Sequence, residues 1–301
     1  MSKKFINWAI YFALCIIWGS SFKLMHDSQQ GLSVAQMAAL RIFSAGLVFV
    51  PLAFFHFSNI PKNKLGLVLL SAVVGNLIPA FLFAEAITRL DSSLAGILNS
   101  LTPICVVLIG IFFFKDKVKS QKIVGVVIGF LGLVLLTVLP LLLSKKSMSF
   151  DNLGYTLLIV LATFLYGINV NMVGHYLKGL NPIKVATVSL SFMTIPAGII
   201  LFQQGFFDLN FRDIQVQHSV WASVGLGIGG SAIATALFYL LVQKAGILFA
   251  SLVTYGIPFI ALFWGFIDGE KITFVKPLCL GIILIGVYMA NRPDKKEKST
   301  D

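Results

Sequence analysis

The sequence predicts an all-α polytopic membrane protein of about ten transmembrane helices, built as two inverted five-helix repeats with both termini cytoplasmic. Three observations carry this expectation. Of the 301 residues 57% are hydrophobic and only 12% are charged, whereas a soluble domain carries about 25% charged residues. The apolar residues fall in blocks of roughly 18 to 24, the length that crosses a hydrocarbon core of about 30 Å at 1.5 Å per residue. Finally, an ordered set of Pro, acidic and Gly positions in the first half recurs in the second.

Taken in order, the blocks bounded by charge, Pro or polar clusters place spans 1 to 5 at 5–22, 35–57, 65–88, 93–114 and 120–143. Spans 6 to 10 follow at 153–175, 182–204, 219–243, 247–267 and 276–291. The start, Lys3-Lys4 before an apolar run to Ile17, has the outline of a signal peptide. Trp18-Gly19-Ser20-Ser21-Phe22 is not a small-x-small cleavage site, however, and cleavage would leave an odd half in the repeat, so span 1 is read as retained. Connections are short apart from 23–34 and 205–218. Neighbouring helices must therefore run antiparallel, and no extramembrane domain fits between them.

The formal charge of +11 could indicate a nucleic-acid binder, but Lys and Arg sit in the breaks between apolar blocks and not on one face of a domain. That pattern reports topology. With the N-terminus inside, the inner side collects Lys3, Lys4, Lys62, Lys64, Lys115, Lys117, Lys119, Lys122, Lys178 and the basic C-terminal tail, and the outer side holds fewer. Cys15, Cys105 and Cys279 all lie inside apolar blocks without metal-ligand spacing, so they read as small packing residues.

The internal repeat sets Gly96–Pro103 (Gly-Ile-Leu-Asn-Ser-Leu-Thr-Pro) against Ser251–Pro258 (Ser-Leu-Val-Thr-Tyr-Gly-Ile-Pro), which places Pro103 opposite Pro258 at an offset of 155. After a one-residue gap Asp116 faces Glu270, and Gly132 faces Gly286; upstream, Gly75-Asn76 faces Gly230-Ser231. The repeats divide the chain into 1–147 and 148–301. Because each holds an odd number of spans, the second enters the membrane from the opposite side. Inverted repeats are a recurring plan of secondary transporters, in which two similar halves exchange conformations.

Ionisable residues inside the hydrocarbon region are costly and need a reason. Arg41 lies about two turns into span 2 and Glu85 about one turn from the end of span 3. Both are expected in the outer half of the membrane, as a pair, as vestibule lining, or snorkelling to the interface. Near span centres lie Asn76, Asn99, Thr102, Asn169 and Thr254, and Asn99 is the repeat partner of Thr254. A helix carbonyl freed by Pro103 or by Pro258 would add acceptors at the same depth. Trp18, Tyr166, Tyr239 and Tyr255 are candidates for an apolar pocket wall with a polar tip. Gly125, Gly129 and Gly132 in span 5, with Gly281 and Gly286 in span 10, would let those helices approach closely, against each other or across a dimer. Monomer and homodimer both stay open. A Walker-type loop, Gly-x-Ser-x-Gly and His-Glu-x-x-His are all missing from the sequence, so neither an enzyme nor a cofactor is implied.

These residues together resemble the drug/metabolite transporter superfamily in its ten-helix EamA-like branch. The likeness rests on Trp18-Gly19-Ser20-Ser21-Phe22, Arg41, and Pro103 followed by Asp116, Gly125 and Gly132, with Pro258, Gly269-Glu270 and Gly286 in the second half. The resemblance implies two inverted repeats around a central cavity, a bacterial inner-membrane location and often export of amino acids or other metabolites. The chain departs from the pattern in Tyr166-Gly167 and in Cys279. It also lacks in span 1 the carboxylate that couples protons in four-helix multidrug relatives, which leaves Glu85 as the intramembrane carboxylate for any proton coupling. The expected function is alternating-access transport of a small organic metabolite across the lipid bilayer. Asn76, Asn99, Thr102, Asn169 and Thr254 would bind its polar groups, Trp18, Tyr166, Tyr239 and Tyr255 its apolar part, and Arg41 and Glu85 would gate or charge-match the vestibule. The alternative, a non-transporting membrane scaffold or receptor, would be a dry, closed bundle.

Overall fold

The computed structural model describes residues 3–116, 120–143, 151–251 and 253–291, and every regular element within them is helical. Helix α1 runs Lys3–Ser28 and α2 Val34–His56. A rod then forms from α3 (Lys62–Ala72), a π-turn at Val73–Leu77 and α4 (Ile78–Ile87). Helices α5 (Ser92–Asn99) and α6 (Thr102–Phe113) occupy the fourth span, followed by α7 (Ser120–Leu143), α8 (Asp151–Tyr176) and α9 (Pro182–Gln203). Next come α10 (Ile214–Gly225), a second π-turn at Leu226–Ile233 and α11 (Ala234–Ser251), and finally α12 (Val253–Ile267) and α13 (Val275–Asn291). Among the described residues seven helices are long and apolar enough to cross a membrane. Ser120–Leu136, Val253–Ile267 and Val275–Ala290 are shorter apolar helices.

Local chemistry explains where the helices begin and end. Ser33 and Gln36 form a reciprocal capping box at the start of α2, with the Gln36 N–H donating to Ser33 Oγ at 3.2 Å and the Ser33 N–H donating to Gln36 Oε1 at 2.9 Å. Such a box satisfies two amide donors that the helix itself cannot. The Asn181 and Asp213 side chains cap α9 and α10 in the same spirit. The sequence reading stopped span 1 before Lys23, but α1 continues to Ser28. The Lys23 ammonium is neutralised by Asp27 one turn on, at 2.6 Å, and by Asp268 at 2.9 Å. A paired charge no longer terminates the helix.

Helix packing follows a regular scheme. Helix α1 packs on α12 and on the α10–α11 rod, while α8 packs on α6 and on the α3–α4 rod. Helices α2 and α9 lie against each other, as do α7 and α13. In these pairings, advancing each helix by five of the spans expected from the sequence returns the same partners. At the α7–α13 contact a Cβ on Gly125 would fall 2.4 Å from the Ala290 N and 2.6 Å from the Gly286 O. Only a hydrogen fits there, so the two backbones touch within one chain.

Many large apolar side chains point outward around the bundle. Phe54, Phe112, Phe202 and Phe266 are each more than 70% exposed. A face of that kind suits hydrocarbon and not water.

Candidate functional site

A cavity of about 280 Å³ lies in the middle of the bundle, walled by α1, α2, both π-turns, α4, the junction of α5 and α6, α8, α11 and α12. Its size sits near the lower edge of the roughly 300–1,000 Å³ typical of small-molecule sites. Polar groups reach it from both halves. Asn76, Asn99 and Thr102 line it from the first, and Ser231, Thr235 and Thr254 from the second.

The backbone is irregular where the helices face this space. Pro103 has no N–H to return to the carbonyl of residue 99, and the Thr102 hydroxyl takes that carbonyl instead, at 2.8 Å from the Asn99 O. Asn99 and Thr102, on either side of the break between α5 and α6, both line the cavity. Pro258 inside α12 leaves the Thr254 carbonyl without its helical donor in the same way. The two π-turns hold Asn76 and Ser231, repeat partners in the sequence, and each lines the cavity. A π-turn inserts an extra residue and displaces a carbonyl from the regular ladder, which is why such turns collect at functional sites. The Trp18 Nε1–H donates to the Gly230 carbonyl in the second π-turn at 2.9 Å, and so joins α1 to the distorted segment.

Aromatic side chains close the walls. Phe83 and Tyr166 stack with ring centroids 6.2 Å apart, and Phe22 lies 6.1 Å from Phe83. Trp18 lies 5.5 Å from Phe238. Among the described residues Arg41 is the single charged one in the lining, with its Nε 3.4 Å from Ser231 Oγ.

The structure thus brings together Trp18, Arg41, Asn76, Asn99, Thr102, Tyr166 and Thr254 around one space. Asn169 stands behind it. Its Oδ1 accepts from the Ser71 hydroxyl at 2.6 Å and its side chain lies against Gly75, where it supports the first π-turn from outside. Tyr255 is half-buried against the apolar core, and Glu85 is exposed on α4 away from the cavity. The side chain of Tyr239 lies outside the described residues. Sequence reasoning did not select Ser21, Met25, Phe83, Ser231 or Thr235, all of which line the space. Ser231 carried a usable signal as the partner of Asn76 in the repeat, and Ser21 lay in the Trp18-Gly19-Ser20-Ser21-Phe22 motif; Met25, Phe83 and Thr235 had none.

A second depression, of about 300 Å³, lies at one end of the bundle among His26, Arg89, Asp91, Asp268 and Glu270. There Lys276 reaches Asp91 at 2.7 Å and Glu270 at 3.6 Å, and Lys23 holds Asp268. Glu270 also accepts from the Ser93 amide and hydroxyl at the start of α5. These contacts tie together the ends of α1, α5, α12 and α13. At the opposite end Asp116 meets His175 at 3.1 Å. Among the described residues no group of His, Cys, Asp and Glu could hold a metal ion.

Comparison with known proteins places the site in context. The EamA-like transporter family matches twice, over residues 6–138 and again over 153–292. An uncharacterized transporter of Archaeoglobus fulgidus is 23% identical over 293 residues, covering 95% of this chain and 99% of the relative. The uncharacterized inner membrane transporter YedA of Escherichia coli is 22% identical, covering 92% of this chain and 88% of its own length. A solved crystal structure superposes with a TM-score of 0.62 at 16% identity, over 96% of this chain and 97% of the other. It shares the fold.

Proposed function

The chain belongs to the EamA-like transporter family and is a multi-pass cell membrane transporter, and from that premise we propose that it moves a small organic metabolite, an amino acid or related compound, by alternating access through the central cavity. The observation that carries this reading is the lining itself. Polar and aromatic groups from both halves meet at the helix breaks, where a dry scaffold would place apolar packing. In this reading ten helices cross the membrane, in two inverted repeats over 1–147 and 148–301, with both termini cytoplasmic. The recurrence of helix partners on advancing five spans supports the repeats, as does the double family match.

Asn76, Asn99, Thr102 and Thr254 act on the polar groups of the substrate, while Trp18 and Tyr166 enclose its apolar part. Asn169 acts at one remove by holding the first π-turn. The test is flux of labelled amino acids and metabolites in proteoliposomes, with and without an imposed pH gradient, for the wild-type protein and Asn99→Leu. Saturable flux that Asn99→Leu abolishes at normal expression is the expected result. Unchanged flux in that variant would remove the central role of the cavity, and gradient dependence would direct attention to Glu85.

A further inference from the structure

We infer that the transported compound carries a carboxylate and that Arg41 receives it. The inference rests on the transport reading above and adds to it the charge class of the substrate.

Arg41 is held in place by its own helix. A Cβ on Gly227 of the second π-turn would lie 2.3 Å from the Arg41 carbonyl oxygen and 2.0 Å from Ser44 Oγ, so α2 and the π-turn are in backbone contact at this depth. The guanidinium has five N–H donors, and its contacts satisfy few of them. Nε faces Ser231 Oγ at 3.4 Å, and Nη1 faces the Met25 thioether, a weak acceptor, at 3.8 Å.

No carboxylate pairs with Arg41 among the described residues. The acids nearest the end of the bundle are engaged elsewhere. Asp27 and Asp268 hold Lys23, and Asp91 and Glu270 hold Lys276. Glu85 is exposed on α4. The chain thus leaves a permanent cation facing a partly open cavity whose described lining contains no acid. An ionised group in such a place is costly until a counter-charge arrives.

The arrangement discriminates among substrates. A cationic amine meets repulsion from Arg41 and finds no anion in the lining. A doubly charged phosphate would call for a second cation, and the other lining groups near Arg41, namely Ser231, Asn76 and Tyr166, are neutral. A single carboxylate matches the planar fork of one guanidinium in two parallel hydrogen bonds. Its body would then lie toward Trp18 and Phe83.

The test uses purified full-length protein and matched compounds: phenylacetate with phenylacetamide, phenylalanine with its amide and phenethylamine, and leucine with leucinamide. Thermal unfolding is followed for the wild-type protein, Arg41→Gln and Arg41→Lys. At least one carboxylate is expected to raise the unfolding midpoint while its amide and amine do not. Arg41→Gln is expected to bind that carboxylate at least roughly 30-fold more weakly, and Arg41→Lys to fall between. Without ligand, Arg41→Gln should melt at or above the wild-type temperature, because it removes an uncompensated charge. A structural arginine would give the reverse. The inference is overturned if amides or amines protect equally, if no carboxylate of the set protects, if protection survives Arg41→Gln, or if unliganded Arg41→Gln melts well below wild type. Saturable flux of neutral compounds in proteoliposomes would show that transport stands even when the carboxylate does not.

Discussion

Replacing Gly286 by alanine measures how closely α7 and α13 are packed. A Cβ at this position would lie 2.4 Å from the Gly129 N, 2.6 Å from the Gly125 O and 2.7 Å from the Gly129 Cα. All three are backbone atoms and cannot rotate away. Ordinary contact between heavy atoms is near 3.5–4.0 Å, so the helices must part by roughly 1 Å along the contact. Overpacking of this kind costs about 1–3 kcal/mol. Alanine also gains about 1 kcal/mol over glycine in a helix interior, which would mask part of the loss. Gly281 supplies the control, since it lies on the same helix and a Cβ there meets nothing within 4 Å. The difference in stability between Gly281→Ala and Gly286→Ala therefore isolates the overpacking at about 1–3 kcal/mol. Thermal unfolding in detergent, followed by circular dichroism, should show Gly286→Ala melting several degrees below Gly281→Ala. Equal midpoints for the two variants would refute the backbone contact.

Other perturbations reach the ends and walls of the bundle. Glu270→Gln should lower stability by about 1–3 kcal/mol, because its carboxylate serves the start of α5 and Lys276 from a largely buried position. A thermal double-mutant cycle with Lys276→Met should recover part of that loss, whereas strict additivity would contradict the pairing. Trp18→Phe keeps an aromatic ring and removes the donor to the Gly230 carbonyl, so a stability reduced by about 1 kcal/mol is expected; an unchanged unfolding midpoint would mean that the hydrogen bond does not hold the π-turn. Ser71→Ala should weaken the support of the first π-turn through Asn169 and lower stability by about 1 kcal/mol. The loss should vanish when Asn169 is already alanine.

The positions of the helices were legible because hydrocarbon demands long apolar runs, and a run is a one-dimensional signal. What sequence could not supply depended on partners distant in the chain. Lys23 reads as a terminator until Asp268 is seen beside it. The π-turns have no composition of their own, although Gly75-Asn76 and Gly230-Ser231 had already marked their places through the repeat. Asn99, Thr102 and Thr254 were selected as polar residues near span centres, with Asn99 the repeat partner of Thr254, and the structure sets all three on one space. Asn169 and Glu85 met the same criterion of polarity within a span but face elsewhere, since polarity alone does not say which side of a helix looks inward. Ser231 and Thr235 escaped attention because small hydroxyl residues are common in membrane helices, where they bond to their own backbone. Thr235 does this, donating to the Ser231 carbonyl, even while it lines the cavity.

Alternating access is tested most directly by placing a cysteine at Asn99, where α5 breaks into α6 at the cavity. The three native cysteines are buried and provide a quiet background. A membrane-impermeant thiol reagent is applied to oriented vesicles from one side and, in separate samples, from the other. The account predicts that Asn99→Cys is labelled from both sides, at rates that a transported compound slows. A residue reached from neither side, or from one side only under every condition, would contradict it.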